Sequence, residues 1–408
     1  MKIIMLGKWP GEEDYGGVAT YIVNLAKHLS KFKDIKLFVV SFGKKNSIFV
    51  YENAKVIILR IWKIYYFIPI LAMLRLMIEV KKIEPDIIHV NGANLSPYIL
   101  TALFFIRNPD LIITYHSYPL KELLALKRIE KDSILWKLNK WVQLNIVRKS
   151  RAIISVTETI KSWIIKDFEI DEEKIMVIPN GVDILEFNDE RNRCIERSEF
   201  GFNTSDYIIL HAKAFLPING QEYLIRSMVP ISDSIPNARL VLVGDGPLKN
   251  ELTKLAIELK VASRVSFLGW VPHSKMPRLL SLADVVVIPS ISIEGFEEGS
   301  SIFLLEAMSM KKPIIAASSG GLRECLKDGE NAIMLQNVDE NSIAKAVIFL
   351  YNNPKFANRL ATAAQEFIRK NRKWEIISTS YYKVYQNLIE IKRTMKVLKN
   401  NDNWKYIK

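Results

Sequence analysis

Two glutamates eight positions apart, Glu298 and Glu306, enclose the run Gly299-Ser300-Ser301-Ile302-Phe303-Leu304-Leu305, which follows an apolar stretch, Val285–Ile288, and the pair Pro289-Ser290. Carboxylates at this spacing bracket a loop-to-helix transition and divide into two jobs. Free amides at the helix start, with the positive end of the helix dipole, suit a diphosphate. Glu306, further along the helix, is placed to accept hydrogen bonds from ribose hydroxyls, and Glu298 to lie over a sugar in transfer. Gly299 supplies backbone freedom, and Ser300 or Ser301 supplies the N-cap. Solvated acids beside a helix cap are the competing explanation. Against it, Glu306-Ala307-Met308 leads into Lys312-Pro313-Ile314-Ile315-Ala316 and then Gly320-Gly321, a second strand-to-glycine loop at the same sheet edge.

Three further groupings carry chemistry. Gly16-Gly17 stands in a polar loop between a first strand and a helix, where paired glycines permit close approach of a phosphate to the helix N-terminus. His116 ends the strand Ile112-Ile113-Thr114-Tyr115 and so lies outside the carboxyl end of a sheet, where open α/β sheets bind ligands. Val243-Gly244-Asp245-Gly246-Pro247 is a glycine-bracketed turn that lacks the full dinucleotide spacing. His28, His89, His211 and His273 read as structural.

The elements that must position these residues alternate along the whole chain. Strands are expected at Lys2–Leu6 and at residues 35–41, 55–59, 86–90, 111–115, 152–156 and 174–178, with crossover helices such as 19–31 and 133–149 between them. After Pro179-Asn180-Gly181-Val182-Asp183 the series restarts, with strands at 207–210, 239–243, 265–268, 285–288, 313–316 and 332–335 and helices at 221–228, 249–259 and 303–308. Two βαβ series imply an α/β fold of two domains, 1–180 and 184–370, with the Pro-Asn-Gly turn as linker and a helix over 374–393 followed by a polar end. No repeat of solenoid period is present.

With 408 residues, 49% hydrophobic and 25% charged, the chain has the composition of a globular protein of two domains. Its two cysteines, Cys194 and Cys325, have no paired spacing, so neither a disulfide framework nor a zinc site is indicated, and a reducing cytoplasm fits. The apolar segment within 62–77 is interrupted by Pro69 and bounded by Lys63 and Arg75, too short for a span of about 20 residues. The net charge of +13 is uneven. Residues 1–180 hold 27 basic against 18 acidic groups and residues 369–408 hold 11 against 3, which leaves the middle slightly acidic. A basic first half suits an anionic membrane surface or a phosphorylated acceptor as well as a merely soluble surface. No nucleic-acid recognition motif accompanies the charge.

The stretch from Glu298 to Glu306 resembles the paired-glutamate motif of the family 4 retaining glycosyltransferases, and the flanking segments match that family's landmarks in order: Gly16-Gly17, Pro85-Asp86-Ile87-Ile88-His89, His116, Pro179-Asn180-Gly181-Val182-Asp183, Gly244-Asp245-Gly246-Pro247 and Gly320-Gly321. The resemblance covers about residues 1 to 390. It implies the GT-B fold, two Rossmann-like domains facing each other across a cleft, with the C-terminal helix returning to the first. It implies a nucleotide diphosphate sugar as donor substrate, transfer with retention, and neither metal nor cofactor. By the same resemblance His116 and Glu298 are catalytic. Gly16, Gly17, Lys213, Asn219, Gly244, Gly246, Val271, Gly299, Ser300, Ser301, Ile302 and Glu306 bind the donor, with Gly17 near its phosphate, Glu306 on the ribose and the Gly269-Trp270-Val271 turn beside the base.

One departure stands out. The family's arginine and lysine, which clamp the diphosphate, fall here on Ala214 and Asn219 within His211-Ala212-Lys213-Ala214-Phe215-Leu216-Pro217-Ile218-Asn219-Gly220. Charge-assisted hydrogen bonds are worth ~1.5–3 kcal/mol each, so the loss of both is large unless Lys213 compensates. Neighbouring side chains in a regular strand point to opposite faces, which argues against that compensation. The acceptor expected is a glycan or lipid-linked glycan, as in cell-envelope polysaccharide assembly, with the enzyme in the cytoplasm or peripheral to the membrane's inner face. The competing readings are a catalytically weak homologue serving as a binding or assembly subunit and, less favoured, an epimerase or sugar phosphorylase on the same fold.

Overall fold

The computed structural model describes residues 1–10, 16–60, 68–92, 109–189 and 197–400. Residues 62–67 of the aromatic and apolar segment, Cys194 and residues 401–408 of the polar end lie outside them. The chain divides into two compact units. The first comprises Met1–Leu120, Ile129–Pro179 and the stretch from Trp374 onward; the second comprises Lys121–Arg128 and Asn180–Lys373. Both are parallel-sheet α/β units of Rossmann type.

The first unit runs β1 (Lys2–Leu6), α1 (Gly17–Leu29), β2 (Lys36–Gly43), β3 (Ser47–Tyr51), β4 (Ala54–Arg60), α2 (Ile68–Ile83), β5 (Ile87–Asn91), β6 (Asp110–Tyr115), the start of α3 (Pro119–Ala125), which from Lys121 on belongs to the second unit, α4 (Ile134–Lys149), β7 (Ala152–Ser155), α5 (Glu158–Phe168) and β8 (Ile175–Val177). Its sheet has the order β3-β4-β2-β1-β5-β6-β7-β8. The inner strands are buried on both faces: β1 places Ile3 beside Leu37 and Ile87, and all three are essentially inaccessible. That is why these segments read as unbroken apolar runs. β3 is the exception. It pairs antiparallel with β4 through the two-residue turn Glu52-Asn53, with Glu52 at φ 52°. The sequence reading has no strand there, because an exposed edge with no Asn-Gly or Asp-Gly turn carries neither of the usual hairpin signals.

The second unit runs β9 (Tyr207–Ala212), α6 (Gln221–Ser234), β10 (Ala238–Val243), α7 (Lys249–Glu258), β11 (Val265–Gly269), α8 (Met276–Leu282), β12 (Val285–Ile288), α9 (Ile302–Ser309), β13 (Ile314–Ala317), β14 (Ile333–Leu335), α10 (Glu340–Asn352) and α11 (Pro354–Asn371). All six strands are parallel, in the order β11-β10-β9-β12-β13-β14. The order reverses between β9 and β12. The loops leaving the carboxyl ends of those two strands therefore diverge, which opens a binding position between them.

The last helix, α12 (Trp374–Asn400), belongs to the first unit and is longer than the 374–393 expected. It buries Trp374, Ile377, Tyr381, Val384, Tyr385 and Leu388, a helical stripe. The Tyr385 hydroxyl lies 2.7 Å from Nδ1 of His89, whose Nε2 lies 2.7 Å from Thr114 Oγ1. His28 Nε2 stands 3.5 Å from the Glu375 carboxylate. His89 thus fastens β5, β6 and α12 together, and burial pulls its pKa down to about 3, so the ring is neutral.

Candidate active site

The loops at the β9 and β12 carboxyl ends bring together three side chains. Lys213 is the first residue after β9, past the end of the strand, so the alternation rule no longer governs where it points. Its ammonium forms an ion pair with the Glu298 carboxylate and lies 3.5 Å from Ser290 Oγ. Ser290, two residues past β12, donates its hydroxyl to the other Glu298 oxygen at 2.5 Å. The side chains of Lys213 and Glu298 are only 14% and 10% exposed, so each needs the other. Burial alone would raise the Glu298 pKa. The Lys213 charge and hydrogen bond, with the Ser290 hydroxyl, outweigh it and hold the carboxyl below its usual range.

The backbone of Glu298 is fixed from a third strand end. Gly321 N donates to Glu298 O at 2.8 Å, and Gly320, at φ 47°, comes so close that a Cβ there would stand 2.1 Å from the same oxygen. Neighbouring Glu297 accepts from Gly320 N at 2.7 Å and pairs with Arg323 at 2.8 Å. Gly299 is buried. Of the two serines proposed as N-cap, Ser301 fills the role, accepting from Leu304 N at 3.3 Å, while Ser300 Oγ accepts from Asn180 Nδ2 at 3.0 Å. Asn180, read in the sequence only as part of a linker turn, thereby anchors the loop that carries Glu298. Ile302, the first residue of α9, has its amide at the helix N-terminus.

Glu306, on the buried α9, is also occupied. Its Oε1 lies 2.6 Å from Nε2 of His273. Burial lowers the His273 pKa, but the Glu306 carboxylate and hydrogen bond overcome it and the net shift is upward. His273 follows the Gly269-Trp270-Val271 turn by two residues, so the pair ties that turn to α9. Val271 is partly buried against the core and Trp270 is exposed. No sequence signal marked His273, since its partner is 33 residues away.

The Asn219 side chain is hydrogen-bonded within its own loop. Its amide is buried and donates to Ala214 O at 2.7 Å, where Gln221 Nε2 also donates at 2.9 Å. His211 Nε2 lies 3.2 Å from that Gln221 amide and its Nδ1 lies 2.9 Å from Val287 O; burial lowers its pKa to about 4. Gly244 and Gly246 let the loop after β10 rest on the loop after β9: a Cβ on either would stand 2.2 Å from Lys213 O or 2.6 Å from Phe215 O. Among the described residues no group of three or more His, Cys, Asp or Glu side chains could hold a metal ion.

In the first unit, Gly16 is the N-cap of α1, extended at φ -105°, and among the described residues nothing lies within 4 Å of where a side chain would start; Gly17 begins the helix. His116 follows β6. Its ring packs edge-on against Tyr21 at 4.2 Å, and its Nε2 is buried without a hydrogen-bond partner among the described residues. Burial lowers its pKa to about 3. Asn91, at the end of the neighbouring β5, is 1% exposed and has Oδ1 equally unpartnered. A buried polar atom left unmatched costs ~1–3 kcal/mol and is a common mark of a ligand position.

Comparison with known proteins settles the family. Glycosyltransferase Family 4 matches residues 15–185, and Glycosyl transferases group 1 matches residues 192–367. The chain belongs to the group 1 glycosyltransferases of family 4. An uncharacterized glycosyltransferase of Methanocaldococcus jannaschii is 30% identical over 246 residues, 60% of this chain and 62% of that protein. A GDP-mannose-dependent alpha-(1-6)-phosphatidylinositol monomannoside mannosyltransferase of Mycolicibacterium smegmatis is 30% identical over 200 residues, 48% of this chain and 52% of its own length. The matched stretch thus spans between half and two thirds of these relatives. Among solved structures, Anabaena HepE in complex with UDP and glucose superposes with a TM-score of 0.76 at 20% identity, covering 95% of this chain and 99% of that one. That likeness establishes the two-domain GT-B fold for this family 4 glycosyltransferase.

Proposed function

We propose that this family 4 member is a retaining glycosyltransferase that moves a hexose-type sugar from a nucleotide diphosphate donor to a hydroxyl of a glycan or lipid-linked acceptor, without a metal ion. The observation that carries the proposal is the buried Lys213–Glu298–Ser290 constellation at the point where the strand order of the second unit reverses. A cation and a carboxylate, held together at three neighbouring strand ends, suit a donor with a negative diphosphate and a sugar becoming positive at its anomeric carbon. The Anabaena HepE complex with UDP and glucose supports a nucleotide sugar as ligand. The mannosyltransferase relative, whose acceptor is a phosphatidylinositol glycan, supports a lipid-linked acceptor.

In this reading Lys213 takes over the charge that Ala214 and Asn219 do not provide, and the amides at the start of α9 with Ser300 and Ser301 share the diphosphate. Glu306 holds the ribose, the turn at Val271 flanks the base, and Gly16 and Gly17 let a backbone approach the phosphate. The C1–O bond to the diphosphate breaks as the acceptor oxygen bonds to C1 on the same face. The acceptor proton passes to the departing phosphate oxygen, so charge balances without a separate base. Neutral His116 offers its unpartnered Nε2 to a sugar hydroxyl. The enzyme works on the cytoplasmic side.

A panel of nucleotide sugars tests this by thermal shift and by slow donor hydrolysis, in the wild type, Glu298→Gln and Asn219→Lys. One donor that raises Tm and is hydrolysed by the wild type but not by Glu298→Gln is the expected result. No response from the wild type, with a response gained in Asn219→Lys, would instead point to a degenerate binding subunit.

A further inference from the structure

The first sheet ends on β3, and among the described residues no strand pairs with its outer side. β3 runs beside β4 in unbroken register, from Tyr51 opposite Ala54 to Ser47 opposite Ile58. The pair that closes a two-residue turn is a hydrogen-bonded one, so Tyr51, Phe49 and Ser47 bond to β4, while Ile48 and Val50 turn their N–H and C=O groups outward. The side chains of Ile48 and Val50 are 66% and 72% exposed. Phe49, on the opposite face with its ring 6.0 Å from that of Trp9, is 38% exposed. Edge strands are ordinarily blunted by a charge, a proline, a bulge or extreme shortness. β3, with the sequence Ser-Ile-Phe-Val-Tyr, has none of these, whereas the sheet's other edge, β8, is only three residues long. Its charges stand just outside the strand, with Lys45 before it and Glu52 after it.

We propose that β3 is a self-association edge, on which two copies of this chain pair antiparallel about a two-fold axis through Phe49 and join their sheets into one. The axis sets Ile48 of each copy opposite Val50 of the other, and each such pair exchanges both of its outward N–H···O bonds. Phe49 then meets Phe49 on one face, and Ile48 and Val50 of both copies cluster on the other. The ends agree in charge. Asn46 falls opposite the second copy's Glu52, with Lys45 next to it, and the symmetry repeats this approach at the far end of the strand. That agreement selects the occupant, because a strand that answers a base before the edge and an acid after it must carry the same order reversed, as β3 itself does. Five residues of strand make a contact about 17 Å long, small beside the ~800 Å² per partner of a stable dimer, so the association is weak and reversible.

The pairing is independent of the transfer chemistry, and its test needs no substrate. Sedimentation velocity of the full chain at low salt, from micromolar to hundreds of micromolar protein, should show a monomer passing reversibly into a dimer. Val50→Pro removes only an outward N–H, which an edge strand tolerates, and should abolish the dimer while leaving the melting curve unchanged. Lys45→Glu and Glu52→Lys should each raise the dissociation constant about three- to tenfold, since each change acts at both ends of the contact. The double exchange Lys45→Glu/Glu52→Lys should restore it, because the ends again meet with opposite sign. That recovery separates antiparallel self-pairing from a general loss of the edge. A wild type that stays monomeric at every concentration would overturn the proposal and leave the edge to a strand of another protein. A dimer that survives Val50→Pro, or that the double exchange fails to restore, would place the contact elsewhere and overturn it as well.

Discussion

Nε2 of His273 lies 2.6 Å from Oε1 of Glu306, a pairing of a loop residue beside the 269–271 turn with a carboxylate on a helix buried along most of its length. The carboxylate raises the histidine's pKa in spite of burial. A group with a raised folded pKa contributes stability that is complete below its unfolded value, ordinarily about 6.5, and is lost as pH rises through the folded value. The Tm difference between wild type and His273→Asn should therefore be widest near pH 6 and narrow on the alkaline side. The same variant should raise the KM for donor while leaving kcat within a few fold, if the histidine positions Glu306 rather than reacting.

Removing Lys213 should be costly. Lys213→Met leaves Glu298 buried without its counter-charge, and breaking one side of a buried pair typically costs about 3–5 kcal/mol. The linkage runs opposite to that of His273. Glu298 has a lowered folded pKa, so its contribution is present above the unfolded carboxyl value and disappears as pH falls through the folded one. Urea titrations from pH 7 down to pH 3 should show the wild type losing this increment in acid, while Lys213→Met, already without it, falls less. Lys213→Arg should recover much of the stability.

Gly320 has both a left-handed backbone and no space for a side chain, because Glu298 O would lie 2.1 Å from its Cβ. Gly320→Ala should destabilise by ~1–3 kcal/mol through strain and displacement of the Glu298 peptide. Donor hydrolysis should fall by more than the melting curve alone accounts for. Gly16→Ala, where none of the described residues lies within 4 Å, should fold with nearly wild-type stability, so any activity it loses reports on ligand approach.

His116→Ala should lower transfer by roughly 10²–10³-fold, the scale for losing one stabilising donor, with little change in Tm. Since burial holds the imidazole pKa near 3, the ring stays neutral through the working range. The wild-type pH–rate profile between pH 5 and 8 should therefore show no step that the variant abolishes.

Much of this was legible in the chain because buried parallel strands leave unbroken apolar runs and glycine loops mark their carboxyl ends. β9, β10, β12 and β13 fall within a residue or two of their expected bounds. What could not be read were partnerships across long sequence separations. Nothing local shows that Lys213 would stand outside its strand and meet Glu298, 85 residues on, or that Ser290 would complete the group. His273 and Asn180 carry no local signal for the same reason: their partners, Glu306 and Ser300, are 33 and 120 residues away.

The return of α12 to the first unit fixes an order of events during synthesis. His89, in β5, finds its Tyr385 partner 296 residues later, after the whole second unit has been made. Until then the α12-facing side of the nascent first unit is uncovered, whereas Asn180–Lys373 form a continuous stretch that can finish folding while the ribosome still holds the tail. The part of the chain translated first is thus the part completed last. A premature stop just before Trp374 would spare the second unit and leave the first without its cover.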